Sequence, residues 1–172
     1  MTDFELERLS PGDDQLILDL MDAAVAWLNR RGITEQWGSE PFSADPRRRA
    51  MVTGWRERSA PFLATYGGKP AGALVLGAHP DYVPAATEPE VYVNLLVSSH
   101  QPEARGVGRW LLGQAEAQTR AQGVELLRVD CYSGRGSRLP DFYESCGFVR
   151  THPFSVGAWD GTVLEKRLHS SK

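Results

Sequence analysis

The sequence is poor in the residues that staple or metallate small domains. Its 172 residues hold two cysteines, Cys131 and Cys146, too few for a disulfide framework and without metal-type spacing. The four histidines, His79, His100, His152 and His169, lie far apart and form no HxxxH or HxH pair. No zinc or other metal site is expected from them. No apolar run approaches the roughly 20 residues that span a bilayer. The opening residues, Met1 to Glu5, lack the basic and apolar regions of a secretory signal. The expectation is a soluble cytoplasmic protein with no membrane partner. Charge of one sign is scarce as well, because 19 Lys plus Arg face 22 Asp plus Glu. That balance gives no bulk attraction to a polyanion, and no nucleic-acid motif stands in for it.

What is present reads as one ordinary globular domain over residues 1–172, long enough to bury a continuous core. Phe4 to Leu9 alternates apolar and acidic residues, as an edge strand does. Pro11-Gly12-Asp13 breaks the chain. Leu16, Leu20, Ala24 and Trp27 then follow helical spacing up to Gly32. After a loop carrying Trp37, Asp45-Pro46 pairs an N-cap with a first helical residue and opens a second helix to about Arg58. Strands at 62–66 and 71–76 are joined by Gly67-Gly68-Lys69-Pro70, a hairpin signal. A Pro-rich connection leads to a strong strand, Val91 to Val97. A helix over 108–121, a strand over 126–131 and a short helix around 141–145 follow. Strands at 148–154 and 162–168, turned by Asp160-Gly161, close the chain. The pattern is mixed α/β.

Two stretches carry chemistry. Arg105-Gly106-Val107-Gly108-Arg109 lies between the strongest strand and a helix. Glycines there allow close approach of a ligand, and the helix-start amides suit a phosphate or pyrophosphate. The alternative is a plain turn and cap. Position 111 is Leu and no Gly-Lys-Ser/Thr follows, so neither the dinucleotide fingerprint nor the nucleotide P-loop fits. The second stretch, Asp141 to Phe148, carries Tyr143. Its phenol either donates a proton to a leaving group of high pKa or is one of three core aromatics before Gly147.

Taken together, these stretches resemble the GNAT superfamily of acetyl-CoA-dependent N-acetyltransferases. Glu103-Ala104-Arg105-Gly106-Val107-Gly108 is similar to its Gln/Arg-x-x-Gly-x-Gly/Ala signature. Phe142-Tyr143-Glu144-x-x-Gly147-Phe148 is similar to its tyrosine-bearing motif. The resemblance is specific over about Val91 to Leu168 and topological before that. It implies a mixed, mostly antiparallel sheet of about seven strands with about four helices, splayed open next to its central strand. It implies acetyl-CoA as co-substrate, with pyrophosphate on Arg105, Gly106, Val107, Gly108 and Arg109. The pantetheine arm would pair with Leu96 and Val97, the latter region also offering an oxyanion-hole amide. Tyr143 would protonate the departing thiolate, and an acceptor amine would attack the thioester directly. Two positions depart from the family pattern. Glu103 replaces Gln or Arg, so its side chain is expected to face solvent. Gly136 stands where Asn often touches pantetheine, with Ser137 or a nearby cation as the substitute.

An ammonium must lose a proton before it attacks. Glu90, Tyr92 and Asn94 alternate onto one face of the 91–97 strand, a costly arrangement unless it is hydrogen-bonded or wet. That face is the candidate acceptor wall, with Glu90 as base and Tyr92 and Asn94 as positioners. Glu90 reads equally as a solvated strand end. Asp130 either serves as base or ties down a loop. Trp37 either lines the acceptor pocket or packs in the core, while both cysteines read as core thiols. The acceptor is an amine of a small molecule or peptide. The competing function is a non-catalytic acyl-CoA-binding regulatory module. Trp159, read as exposed in Gly-Ala-Trp-Asp-Gly, suggests a possible homodimer through the final strands.

Overall fold

The computed structural model describes residues 3–10 and 12–169; Met1, Thr2 and Pro11 of the expectations above lie outside them. Along the chain come β1 (Phe4–Arg8), α1 (Asp14–Arg30), α2 (Pro46–Arg58), β2 (Ala60–Tyr66), β3 (Lys69–Gly77) and β4 (Val91–Ser98). Then follow α3 (Val107–Ala121), β5 (Leu126–Tyr132), α4 (Leu139–Ser145), β6 (Val149–Val156) and β7 (Trp159–Arg167). The strands form one open sheet in the order β1-β2-β3-β4-β5-β7-β6. β4 and β5 are parallel, whereas β1–β2, β2–β3, β5–β7 and β6–β7 are antiparallel. This is the mixed seven-stranded sheet with four α-helices that the family resemblance implies.

The contacts gather into two compact units, each made from two separate stretches. The first comprises Met1–Gly77 and Leu95–Leu111. In it α1 buries Ile17, Met21, Ala24 and Val25 against Leu63, Ala73, Val75, Leu95 and Val97. Full burial of each large side chain is worth about 1.5–3 kcal/mol, so this face, more than helix propensity, holds α1. Gly32 ends the helix region at φ +75°. α2 is mostly polar and leans on its cap, where the Asp45 carboxylate accepts from the Arg47 amide at 2.9 Å. Gly67 and Gly68, at φ +56° and +80°, form the whole β2–β3 turn. Lys69 and Pro70 already belong to β3.

The second unit comprises Ala78–Asn94 and Leu112–Lys172. The β4–β5 ladder lies here and runs only from Val91↔Leu127 to Val93↔Val129, although β5 continues to Tyr132. The β6–β7 hairpin corrects one expectation. It turns at Gly157-Ala158, with Val156 paired to Trp159, and Asp160-Gly161 lies inside β7. Gly161 is needed for space, because a Cβ there would lie 2.5 Å from the Trp159 ring and 2.7 Å from that of Phe154. Trp159 itself is half-buried, its ring beside Tyr132 and Phe154 at centroid distances of 5.7 and 5.9 Å. It is not the exposed turn residue expected.

Candidate functional site

In the first unit, β4 gives way to the glycine-bearing loop. The Ser99 amide donates to Ala71 O at 2.8 Å, and a single 3-10 turn spans Pro102–Ala104. Gly106 then adopts φ +86° with open space where a Cβ would stand. Ala104 and Val107 are buried beneath the loop, whereas Arg105 and Arg109 are exposed above it. Gly72 of β3 explains how closely this corner is packed. A Cβ there would lie 2.7 Å from Val97 O and 3.1 Å from Leu111 Cδ1. The first turn of α3 therefore packs closely on β3, and its amides begin at a glycine corner flanked by the Arg105 and Arg109 side chains. That donor set fits a pyrophosphate. Glu103 is exposed, as its departure from the family signature leads one to expect. Leu96 is half-buried, and Val97 is buried in the core under α1.

Trp37 follows α1 and is half-buried, with its ring edge-on to Phe42 at 6.4 Å. Its carbonyl accepts from Arg48 Nη1 at 3.0 Å, and the Arg48 guanidinium lies over Phe42. Trp37, Glu40, Asp45 and Arg48 line a cavity of about 350 Å³. Trp37 thus packs on the core and also borders open space.

In the second unit, Tyr143 occupies the middle of α4 and is 5% exposed. Its ring meets Phe142 and Phe148 edge-on at 5.3 and 5.7 Å. Gly147, at φ +94°, lets the chain turn so that Phe148 N donates back to Tyr143 O. Burial pushes the phenol pKa up, and nearby Cys131, Asp130 and Cys146 add to the shift. The group stays protonated at neutral pH, the state a proton donor requires. Burial also raises the Cys131 thiol to about 12, which leaves it inert as a nucleophile. Ser137 Oγ accepts from the Leu139 amide at 3.3 Å and so is engaged at the start of α4.

The acceptor wall differs from expectation at Glu90. Both of its oxygens accept from Arg128: Nη2 donates to Oε1 at 2.9 Å, and Nε donates to Oε2. Arg128 Nη2 also reaches Pro84 O at 3.0 Å, and the two side chains are only 7% and 10% exposed. Glu90 is thus occupied as the counter-ion of a buried guanidinium, which argues against a free base. The register Tyr92↔Arg128 creates this pair. The only sequence signal for it was an arginine inside an apolar strand.

Tyr92 is fully buried, and its hydroxyl donates to Asp130 Oδ2 at 2.5 Å. Tyr82, from the Pro-rich connection, donates to the same oxygen at 3.5 Å. Tyr82 was not singled out by its sequence context. Burial raises the Asp130 pKa, and the two phenolic hydrogen bonds partly offset that rise. Asn94 Nδ2 donates to Ala78 O at 2.9 Å, while its buried Oδ1 has no partner among the described residues. The unit therefore gathers a protonated phenol, a carboxylate of raised pKa and an amide with spare accepting capacity.

Comparison with known proteins bears on the family and the fold. The model of the acetyltransferase (GNAT) family matches residues 25–148. No curated protein matches the chain at the level of sequence. Among solved structures, a putative GNAT-family acetyltransferase from Desulfovibrio desulfuricans is 20% identical with a TM-score of 0.71, covering 95% of this chain and 98% of its own. A putative acetyltransferase from Salmonella typhimurium, solved with its cofactor acetyl-CoA, is 17% identical with a TM-score of 0.65 over 99% and 96% of the two chains. The ribosomal-protein-S18-alanine N-acetyltransferase from Escherichia coli is 16% identical with a TM-score of 0.66, covering 98% and 96%. At these identities the likeness is one of fold. Among the described residues, no helix is long and apolar enough to cross a membrane.

Proposed function

Because the chain belongs to the acetyltransferase (GNAT) family, we propose that it transfers the acetyl group of acetyl-CoA directly to a primary amine of a small molecule or peptide. The observation that carries this reading is Tyr143, a buried phenol held protonated in the family's tyrosine-bearing motif. A module that only bound acyl-CoA would have no use for a proton donor there. On this reading residues 1–172 work as one acetyltransferase domain, and the family match at 25–148 includes parts of both compact units.

Each part of the chain then has a task. Arg105, Gly106, Val107, Gly108 and Arg109 hold the pyrophosphate through amides and guanidinium groups. Leu96 and Val97 offer backbone groups to the pantetheine arm, and an amide near Val97 stabilises the oxyanion of the tetrahedral intermediate. Tyr143 protonates the departing thiolate. Asn94 and Trp37 are each assigned to acceptor binding, Tyr92 to holding Asp130, and Ser137 to cofactor binding.

Calorimetric titration with acetyl-CoA tests the cofactor assignment, run beside a Gly106→Glu, Gly108→Glu double variant. Micromolar binding by the wild type and its loss in the variant are expected. Turnover on a panel of primary amines tests the reaction. Acetyl-CoA binding without acetylation of any amine would favour the regulatory module instead.

A further inference from the structure

We propose that Asp130, held by the hydroxyls of Tyr92 and Tyr82, is the base that accepts a proton from the incoming ammonium. The inference rests on the acetyl-transfer reading above and assigns the one role which that reading leaves without a residue.

Asp130 differs from five other carboxylates of the second unit in what holds it. Glu88 is held by Arg167, Glu90 by Arg128, Glu116 by Lys166, and both Asp141 and Glu144 by Arg150. The lone pairs of these five carboxylates are engaged by cations. Asp130 is held instead by two neutral hydroxyls, both on Oδ2. No described residue donates to Oδ1.

The ladder between β4 and β5 ends at Val93↔Val129, so Asp130 is the first β5 residue beyond its last pair with β4. On its other side Asp130 pairs with Val163 of β7, whose next neighbour on β6 is His152. The titratable groups around the carboxylate are Tyr82 before β4, Tyr92 on β4, Cys131 on β5 and Tyr143 on α4. Arg128 acts on Tyr92 from two residues away on β5. The Asp130 field also acts on Tyr143, the donor for the leaving group, so acid and base lie within one electrostatic neighbourhood. Burial raises the Asp130 pKa and strengthens it as a base.

The protons balance. Asp130 takes one proton from the acceptor ammonium and becomes a carboxylic acid. The freed nitrogen lone pair forms the N–C bond, giving a tetrahedral intermediate with N–H₂⁺ and an oxyanion. Its collapse breaks the C–S bond while Tyr143 gives a proton to the thiolate. The remaining excess proton on nitrogen restores the Tyr143 phenol, and Asp130 releases its proton to solvent. The net products are amide, CoA thiol and one proton.

The test uses the full chain, acetyl-CoA and the amine that the wild type acetylates fastest in a panel of arylalkylamines, polyamines and peptide N-termini. Asp130→Asn is expected to lower kcat at pH 7 by about 100-fold or more, with acetyl-CoA affinity unchanged. Glu90→Gln, compared at equal folded fraction, is expected to keep the wild-type pH profile. Near-normal turnover in Asp130→Asn would overturn the proposal. Tyr82→Phe covers the case in which Asp130→Asn does not fold. Losing that hydrogen bond is expected to move the acid limb of kcat/KM to higher pH, and an unmoved limb would overturn the proposal. If acetyl-CoA binds and no amine is acetylated, the amine-transfer reading fails first and this assignment falls with it.

Discussion

Arg128 grips both carboxylate oxygens of Glu90, and each side chain is at least nine-tenths buried. Removing one partner from such a pair leaves an uncompensated charge away from water, at a cost of about 3–5 kcal/mol. Glu90→Ala is therefore expected to lower unfolding stability by that amount in urea. At concentrations where the variant stays folded, the pH dependence of turnover should match the wild type. A changed pH limb with unchanged stability would mean that Glu90 is a base after all.

Tyr143→Phe separates chemistry from binding. The ring packs between Phe142 and Phe148, and a phenylalanine would preserve those contacts. Losing a general acid typically costs about 10²–10⁴-fold in rate. A kcat lower by about 100-fold, with acetyl-CoA affinity intact by calorimetry, is the expected outcome. Equal turnover in the two proteins would remove Tyr143 from the mechanism.

Asp130 predicts a pH-dependent stability difference. Its pKa is raised in the folded protein, so the folded state holds its proton more tightly than the unfolded chain, where Asp titrates near about 3.9. The stability this provides is complete below that value and is lost as pH rises through the folded pKa. Asp130→Asn, which stays neutral, should gain Tm relative to the wild type as pH increases from about 4. A difference that shrinks with pH would show that the carboxylate is stabilised rather than desolvated.

These contrasts show what local pattern can and cannot disclose. Asp45-Pro46 and Gly67-Gly68 were legible because a cap and a two-residue turn are settled by neighbouring atoms. Asp160-Gly161 looked like an equally good turn, yet the Trp159 and Phe154 rings claim the space beside Gly161 and draw it into β7. Tyr143 and the 105–109 loop were legible as motifs. The partner of Glu90 lies 38 residues away and meets it through strand register, which no local window contains. The Tyr82–Asp130 contact spans 48 residues and was hidden for the same reason.

Gly72 gives a packing test under the candidate pyrophosphate loop. A methyl group there would press on Val97 O at 2.7 Å, and backbone in a sheet yields little. Gly72→Ala is expected to cost about 1–3 kcal/mol. Because the added atom also meets Leu111 and Val107 at the start of α3, weaker acetyl-CoA binding should accompany the lost stability. A variant as stable as the wild type would mean that α3 is free to move away from β3.

His100 stacks on Trp27 with ring centroids 3.8 Å apart and planes within 3°. The Arg31 guanidinium carbon lies 4.1 Å from the Trp27 ring centroid. Partial burial lowers the His100 pKa, and repulsion from Arg31 and Arg30 lowers it further. The folded protein therefore takes up this proton later than the unfolded chain does. Its contribution to stability is present above the ordinary histidine value of about 6.5 and is lost as pH falls through the folded pKa. Ring-proton NMR should place the His100 midpoint below 6.5. Arg31→Ala should move that midpoint upward by removing one repelling charge. Trp27→Ala should move it upward as well, because the imidazolium regains water on the face that the indole now covers. A midpoint indifferent to both substitutions would show that neither the stack nor the neighbouring charge governs the imidazole.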